Sequence, residues 1–269
     1  MNVLVASNKY LKIYSKLFVS TASTFMAYRL NFVIQSLYGP AYVLVMYALL
    51  AIAYSKTPTL GGWSKPEGQL LFLVFQWLFV ICMMMFMKGS RHFLWNGFRQ
   101  GELDIYLTKP AKPQFFVLFS KPELEQGMLT LALTVLLVWH ATPYVLANTW
   151  LGNLGFVVML LFGWLTTYFS VAIYTAAGFY MTRAGQIIEL YNKISDFAQY
   201  PMVIFPVAFQ LLAVSIVPMA FFSYYPTLFL LGQGKVWHLG LALTATTILA
   251  VFNSIIWSIS LKRYSSASS

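Results

Sequence analysis

Charge is scarce in this sequence. Only 9% of the 269 residues are Asp, Glu, Lys or Arg, against roughly 25% in soluble domains, while 59% are hydrophobic. A soluble protein of this size cannot keep so much apolar surface out of water. The composition therefore excludes a soluble globular enzyme, a disordered chain and a soluble domain that would carry a basic face to nucleic acid. Cysteine is nearly absent. The single Cys82 rules out an intramolecular disulfide, and in the run LFVICMMM it reads as a small buried hydrophobe. Acidic residues number 7. No Ser/His/Asp, Cys/His or paired-aspartate constellation can be assembled from them within apolar sequence, which disfavours a membrane-embedded enzyme. His140 and His238 fall near span ends and read as interfacial, not as metal ligands. A G-x-x-x-x-G-K-[ST] phosphate loop is missing too; Gly234-Lys235 lacks both the first glycine and the hydroxyl residue. No short apolar core precedes a small-residue cleavage site near the N-terminus, so no cleavable signal peptide is expected.

What the sequence has is long apolar runs. A spanning helix needs about 20 mainly apolar residues, and six stretches qualify, near 31–54, 69–87, 124–146, 154–181, 194–212 and 238–260. Their continuous character predicts helices; a transmembrane barrel would show short alternating strands. The expected fold is all-α and integral to a membrane, in one domain spanning 1–269. The 17 Lys and Arg outnumber the acids and are unevenly placed. With the N-terminus inside, the inner segments hold Lys9, Lys12, Lys16, Arg29, Lys88, Arg91, Arg99, Lys109, Lys112, Lys121, Arg183, Lys193, Lys262 and Arg263. The outer ones hold only Lys56, Lys65 and Lys235. The positive-inside rule then puts both termini in the cytoplasm, which needs an even number of spans.

Three pieces do not read as plain spans. Residues 8–22 predict an interfacial amphipathic helix. Lys9, Lys12 and Lys16 share one arc at helical spacing and face anionic lipid, with Leu11, Tyr14, Leu17 and Phe18 on the other side. Residues 88–123 form the longest polar stretch. They predict a helix over Arg91–Gln100, a break at Gly101 and an extended segment through Lys109-Pro110 and Lys112-Pro113. Phe93, Trp95, Phe98 and Tyr106 there suggest a contact surface for lipid or another protein. Residues 195–238 are interrupted by Pro201, Pro206, Pro218 and Pro226, and 207–237 follow the fifth span. An outer re-entrant hairpin keeps the span count even, and irregular backbone at that depth needs protein or water around it.

This arrangement resembles the permease subunit of type-2 ABC transporters. Two stretches narrow the resemblance to short bacterial permeases: GELDIYLTKPAKPQF (Gly101–Phe115) is similar to G-x-L-D-x-x-L-x-[KR]-P-x-x-P, and YPMVIFP…VPMAFFSYYPTLFLLG (Tyr200–Gly232) is similar to Y-P…[IV]-P-x-A-F…Y-Y-P-x-x-x-L-L-G. The closing LKRYSSASS is similar as well. The resemblance implies a dimer of identical or homologous permeases in a bacterial inner membrane. It also implies separate ATPase subunits that bind ATP and Mg2+, so that this chain binds no cofactor itself. Coupling to the ATPase falls by that analogy on Arg91–Leu107, including Phe93, Trp95, Phe98, Arg99 and Gly101, with Glu102 and Asp104 as the charged candidates. The rival assignment for those two carboxylates is that they hold their own loop together.

The cargo is read from the aromatic load of 18%. Trp77, Phe205, Phe209, Phe221, Phe222, Tyr224 and Tyr225 are candidates for the path of a flat or amphipathic compound, since aromatic faces attract organic cations. Asp196 is the carboxylate available to a cationic cargo. Both it and Glu189 are expected near the inner end of span five, in a solvated position. An exported hydrophobic or cationic xenobiotic is the leading expectation and a lipid or lipid-linked glycan the alternative. An ion-coupled secondary transporter is disfavoured because no carboxylate is expected near mid-depth.

Overall fold

The computed structural model describes residues 3–181, 184–215 and 217–264. Arg183 and the Ser-rich end at 265–269 lie outside them. The described chain is helical apart from one two-residue-by-two-residue ladder, as expected of an all-α membrane protein. Five helices are long and apolar enough to cross a bilayer, and a sixth candidate is a sharply bent pair.

Helix α1 (Val3–Ala27) bends at Tyr28 into α2 (Arg29–Lys56), the first span. Lys9, Lys12 and Lys16 are exposed on α1, while Tyr10, Ile13, Tyr14 and Leu17 are half-buried at helical spacing. Of the expected apolar side, Tyr14 and Leu17 pack and Leu11 and Phe18 are exposed, and the helix is longer than residues 8–22. Beyond α2, β1 (Thr59–Leu60) pairs with β2 (Trp63–Ser64) through Gly61 and Gly62. Both glycines have positive φ, 59° and 85°, which a two-residue hairpin turn of this hand requires. Ser64 then caps α3 (Lys65–Cys82): its backbone N–H and hydroxyl both donate to Glu67 Oε2, at 2.8 and 2.7 Å. The chain continues without a break through a π-turn (Met83–Met87), α4 (Lys88–His92) and a second π-turn (Phe93–Gly97). This span of 33 residues is about 50 Å long, against about 30 Å of hydrocarbon. It runs through the middle of the protein. Leu70, Leu71, Val74, Phe75, Cys82 and Phe86 are all buried, as expected of a helix apolar all round.

Two short helices follow, α5 (Glu102–Leu107) and α6 (Pro113–Phe119). A 3-10 turn (Leu124–Gln126) leads into α7 (Gly127–Ala147), and α8 (Trp150–Ala176) returns. Of residues 88–123, 88–97 continue span two, Gly101 turns the chain, and α5 and α6 flank a non-helical stretch at 108–112; the expected helix and break are present, the helix is continuous with span two, and the segment through Lys109-Pro110 and Lys112-Pro113 is short.

The fifth crossing differs from expectation. It begins at α9 (Gly185–Ser195), earlier than residue 194, and proceeds in 3-10 turns at Asp196–Gln199 and Met202–Ile204. Tyr200-Pro201 and Phe205-Pro206 break it, because proline removes an N–H and clashes with the preceding turn. Val203 and Ile204 reach the hairpin at Gly61. From there α10 (Val207–Ser215) and, after a 3-10 turn (Met219–Phe221), α11 (Tyr224–Leu230) form the bent pair, at 79°. The carbonyl oxygen of Phe221 lies against Gly163, about 20 Å along α8 from Trp150. Phe229 lies against Gly155, and Asn148 Nδ2 donates to the Phe229 carbonyl at 2.8 Å. The pair therefore enters and leaves at the end that carries the β-hairpin. The last span, α12 (Val236–Arg263), packs along α8, with Trp257 Nε1 donating to the Ala172 carbonyl at 2.8 Å.

Candidate functional site

The end of the bundle opposite the β-hairpin carries Arg29, Lys88, Arg91, Arg99, Lys121 and Arg263, and is called the basic end below. Here span two projects past its neighbours, and α5 and α6 fold back onto it. Gly101, with φ of 67°, turns the chain where a residue with a Cβ would be strained. At Gly89 a side chain's first carbon would meet the Leu118 carbonyl oxygen, so only glycine lets α6 lie this close to α4. Leu103, Val117 and Phe93 are buried between them.

The sequence-predicted coupling residues separate into two groups. Most are used inside the chain. Phe93 packs edge-on to Phe98 at 5.9 Å, and Phe98 meets Phe179 at 5.4 Å and Tyr264 at 6.0 Å. Tyr106 stacks on Phe116 at 5.8 Å. These three aromatics are therefore internal, contrary to the expected outward surface. Glu102 faces inward too. Oε1 pairs with His92 Nε2 at 2.8 Å, and Oε2 accepts from the Tyr106 hydroxyl at 3.0 Å. Burial alone would raise the Glu102 carboxyl; the His92 and Tyr106 hydrogen bonds outweigh it and hold the group below the ordinary carboxylate range. Burial, with the Glu102 charge beside it, pushes the Tyr106 hydroxyl up to about 12 against an opposing Ser120 hydrogen bond. What remains outward is a ridge of Trp95, Ile105 and Leu107, which are 47%, 57% and 49% exposed. Asp104 and Arg99 both have interactions of their own. Trp95 also lies over Gly185 at the start of α9, joining the ridge to the fifth crossing.

From the basic end a polar cleft of about 340 Å³ runs inward between α2, span two, the start of α7 and α9. At its mouth Arg91 Nε lies 3.3 Å from Glu189 Oε1. Lys88 holds Glu125 in a close ion pair and Glu123 at 3.7 Å. Burial pushes the Glu123 carboxyl up, with the Lys88 charge opposing. At the inner end Tyr42 and Asp196 line the cleft together, beside Gln76 and Asn192. Tyr42 sits halfway along α2. Asp196 is half-exposed on this cleft, and the 3-10 turn after α9 sets it level with the middle of α2, farther along the bundle than the expected span end.

Of the sequence-predicted path residues, only Asp196 lines this cleft. Phe221, Phe222 and Tyr225 are buried in the core; Phe75 meets Phe222 at 5.5 Å and Phe221 meets Tyr225 at 5.2 Å. Tyr224 packs on Trp63 at 5.6 Å. Trp77 Nε1 donates to Thr134 at 2.9 Å. Phe205 and Phe209, 4.8 Å apart, form a cluster with Phe197 at the start of the hairpin. Pro206 and Pro218 precede α10 and the 3-10 turn after it, and Pro226 lies in the first turn of α11, where it is tolerated. Sequence reasoning missed Tyr42, Gln76, Asn192 and Lys88–Glu125. One signal was available: Glu189, Asn192, Lys193 and Asp196 repeat at three and four residues, one face of a helix. Gln76 was a lone amide in an apolar run. Tyr42 carried no signal.

No curated protein and no solved structure matches the chain. Residues 40–268 match the family described as ABC-2 family transporter protein, which takes in all six crossings but for the start of the first, and the chain belongs to that family.

Proposed function

We propose that this chain is the transmembrane permease of an ATP-driven exporter that moves a hydrophobic or cationic small molecule out across a bacterial inner membrane. Permeases of this family work with an ABC ATPase in general. Here that subunit binds ATP and Mg2+, and this chain pairs with a second, identical or homologous permease. Both termini and the basic end face the cytoplasm and its anionic lipid, in keeping with the bias of Lys and Arg.

The observation that carries the reading is the polar cleft, which runs from the basic end to mid-depth, below a re-entrant pair that fills the other half of the bundle. Such a cavity takes cargo from the cytoplasmic side while the outer side is closed. The ridge of Trp95, Ile105 and Leu107 docks on the ATPase. Closure of the ATPases then drives α5 and α6 against span two, and Trp95 over Gly185 and Arg91 on Glu189 pass the movement to α9, a wall of the cleft. Two protomers rock, and the path opens near Pro206–Leu230.

The test is purification in mild detergent with mass spectrometry of what accompanies the chain, then transport into inverted vesicles. The reading expects a nucleotide-binding subunit and uptake that needs ATP. Recovery of the chain alone, with transport driven by an ion gradient, would overturn it in favour of a secondary carrier, for which Asp196 at mid-depth is a suitable coupling group.

A further inference from the structure

The inner end of the cleft is chemically unlike the rest of the bundle. Gln76 is 1% exposed, lines the cleft, and its Nε2 has no hydrogen-bond partner. The Asn192 Oδ1 on the facing wall is likewise buried without a partner. Leaving a buried amide donor unpaired is costly, so a site that keeps one is set up to receive an acceptor. Beside them the Asp196 carboxylate and the Tyr42 side chain line the cleft. A carboxylate accepts about four hydrogen bonds. The charges facing the cleft are Glu123, Glu189 and Asp196 against Arg91 and Lys193. Arg91 is taken by Glu189, Glu123 leans on Lys88, and Lys193 is exposed toward the mouth. The deepest charge is therefore negative. Val43, Phe79, Val80 and Met83 form the apolar walls beside it.

We propose that this pocket binds a protonated organic amine that carries a hydrogen-bond-accepting oxygen near the amine and a flat apolar body. The ammonium sits on Asp196 and the Asn192 carbonyl oxygen, the acceptor takes the Gln76 Nε2 proton, and the body lies along Phe79 and Val80. Charge-assisted hydrogen bonds of this kind are about twice as strong as neutral ones, and Asp196 sets the sign of the ligand. The proposal rests on the exporter reading for its meaning but not for its test.

The test is equilibrium binding to the purified chain in lipid nanodiscs, with the signal of protein-free discs subtracted and no nucleotide present. Two fluorescent probes share a naphthyl ether body: propranolol, with a protonated secondary amine and a hydroxyl, and 1-naphthoxyacetate, with a carboxylate. Propranolol should bind and naphthoxyacetate should not. Asp196→Asn should weaken propranolol binding about tenfold, Asp196→Glu should retain most of it, and Gln76→Leu should weaken it several-fold. Each variant must elute as the wild type does. Absence of propranolol binding, equal binding of both probes, or an Asp196→Asn variant as tight as wild type would overturn the site. None of these results bears on whether an ATPase co-purifies, so the failure of the pocket and the failure of the exporter reading remain separate.

Discussion

Lys88 is the residue whose loss the bundle should feel most. Its ammonium serves two carboxylates, Glu125 and Glu123, whose side chains are 2% and 12% exposed. Lys88→Met keeps the length and the apolar stem and removes only the charge, leaving two adjacent acids at the mouth of the cleft with no cation between them. Breaking a fully buried pair costs about 3–5 kcal/mol. Lys88 itself is 31% exposed, so solvent recovers part of that and about 2–3 kcal/mol is expected. In a chain of this size that lowers the melting temperature by about 5–10 °C. The protein supplies its own reporter: its single cysteine, Cys82, is a free thiol and fully buried, so a thiol-reactive dye in detergent reads unfolding directly. Adding Glu123→Gln and Glu125→Gln to Lys88→Met should recover most of the loss, because no uncompensated charge then stays buried. A Lys88→Met protein that melts within about 1 °C of wild type would refute the reasoning, and so would a triple variant no better than the single one.

Glu102 offers a pH test. Its carboxyl is held below its ordinary 4.5, so its contribution is fully present above the unfolded value and is lost as pH falls through the folded one. The melting difference between wild type and Glu102→Gln should shrink as the pH falls below about 4.5; a difference that grows between about pH 4.5 and 3 contradicts the assignment. Glu102→Ala with Asp104→Ala should insert normally yet uncouple ATP hydrolysis from transport; normal coupling in vesicles would leave the two carboxylates with the role of holding their own loop, in keeping with the Glu102 bonds to His92 and Tyr106. Gly89→Ala should lower both melting temperature and ATPase stimulation, since its Cβ would meet the rigid Leu118 backbone. Gly185→Ala should be milder, because its Cβ would meet only the half-exposed Trp95 ring, 2.6 Å away; equal effects in the two variants would show that the backbone contact is unimportant. Trp257→Phe gives up one hydrogen bond to Ala172 and should cost about 1 kcal/mol by thermal melting.

The helices were legible where apolar period and length agree. Spans two, four and six stand out because about 20 apolar residues have no other stable use, and the break in the bent pair was legible from prolines that a continuous span would not hold. The fifth crossing was misplaced at its start. Its first helix, GQIIELYNKIS, carries Glu189 and Lys193, which lower its mean hydropathy, and its apolar half is irregular backbone that no period describes. The coupling region was legible as a place but not as a set of contacts. Phe93, Phe98 and Tyr106 had the composition of a docking face, and only tertiary structure shows that Phe179, Tyr264 and Phe116 cover them. The cleft was the least legible part. Asp196 was visible as a carboxylate, but its depth depends on how a 3-10 turn follows α9, and its neighbour in the cleft, Tyr42, lies about 150 residues away in sequence, beyond any local rule.

Helix α1 touches the rest of the protein through aromatic pairs onto α6: Tyr10 on Phe115 at 4.9 Å and Tyr14 on Phe119 at 5.8 Å, both edge to face. Its exposed lysines lie away from those contacts. On the proposed function, the piece that receives the push of the ATPase is bolted to a float whose lysines ride on lipid headgroups. Every stroke of α6 has to drag that float through the headgroup layer, so surface charge and lipid packing act as a load on the engine. Membranes richer in anionic lipid should hold the lysines harder and slow the stroke without any lipid entering the transport path.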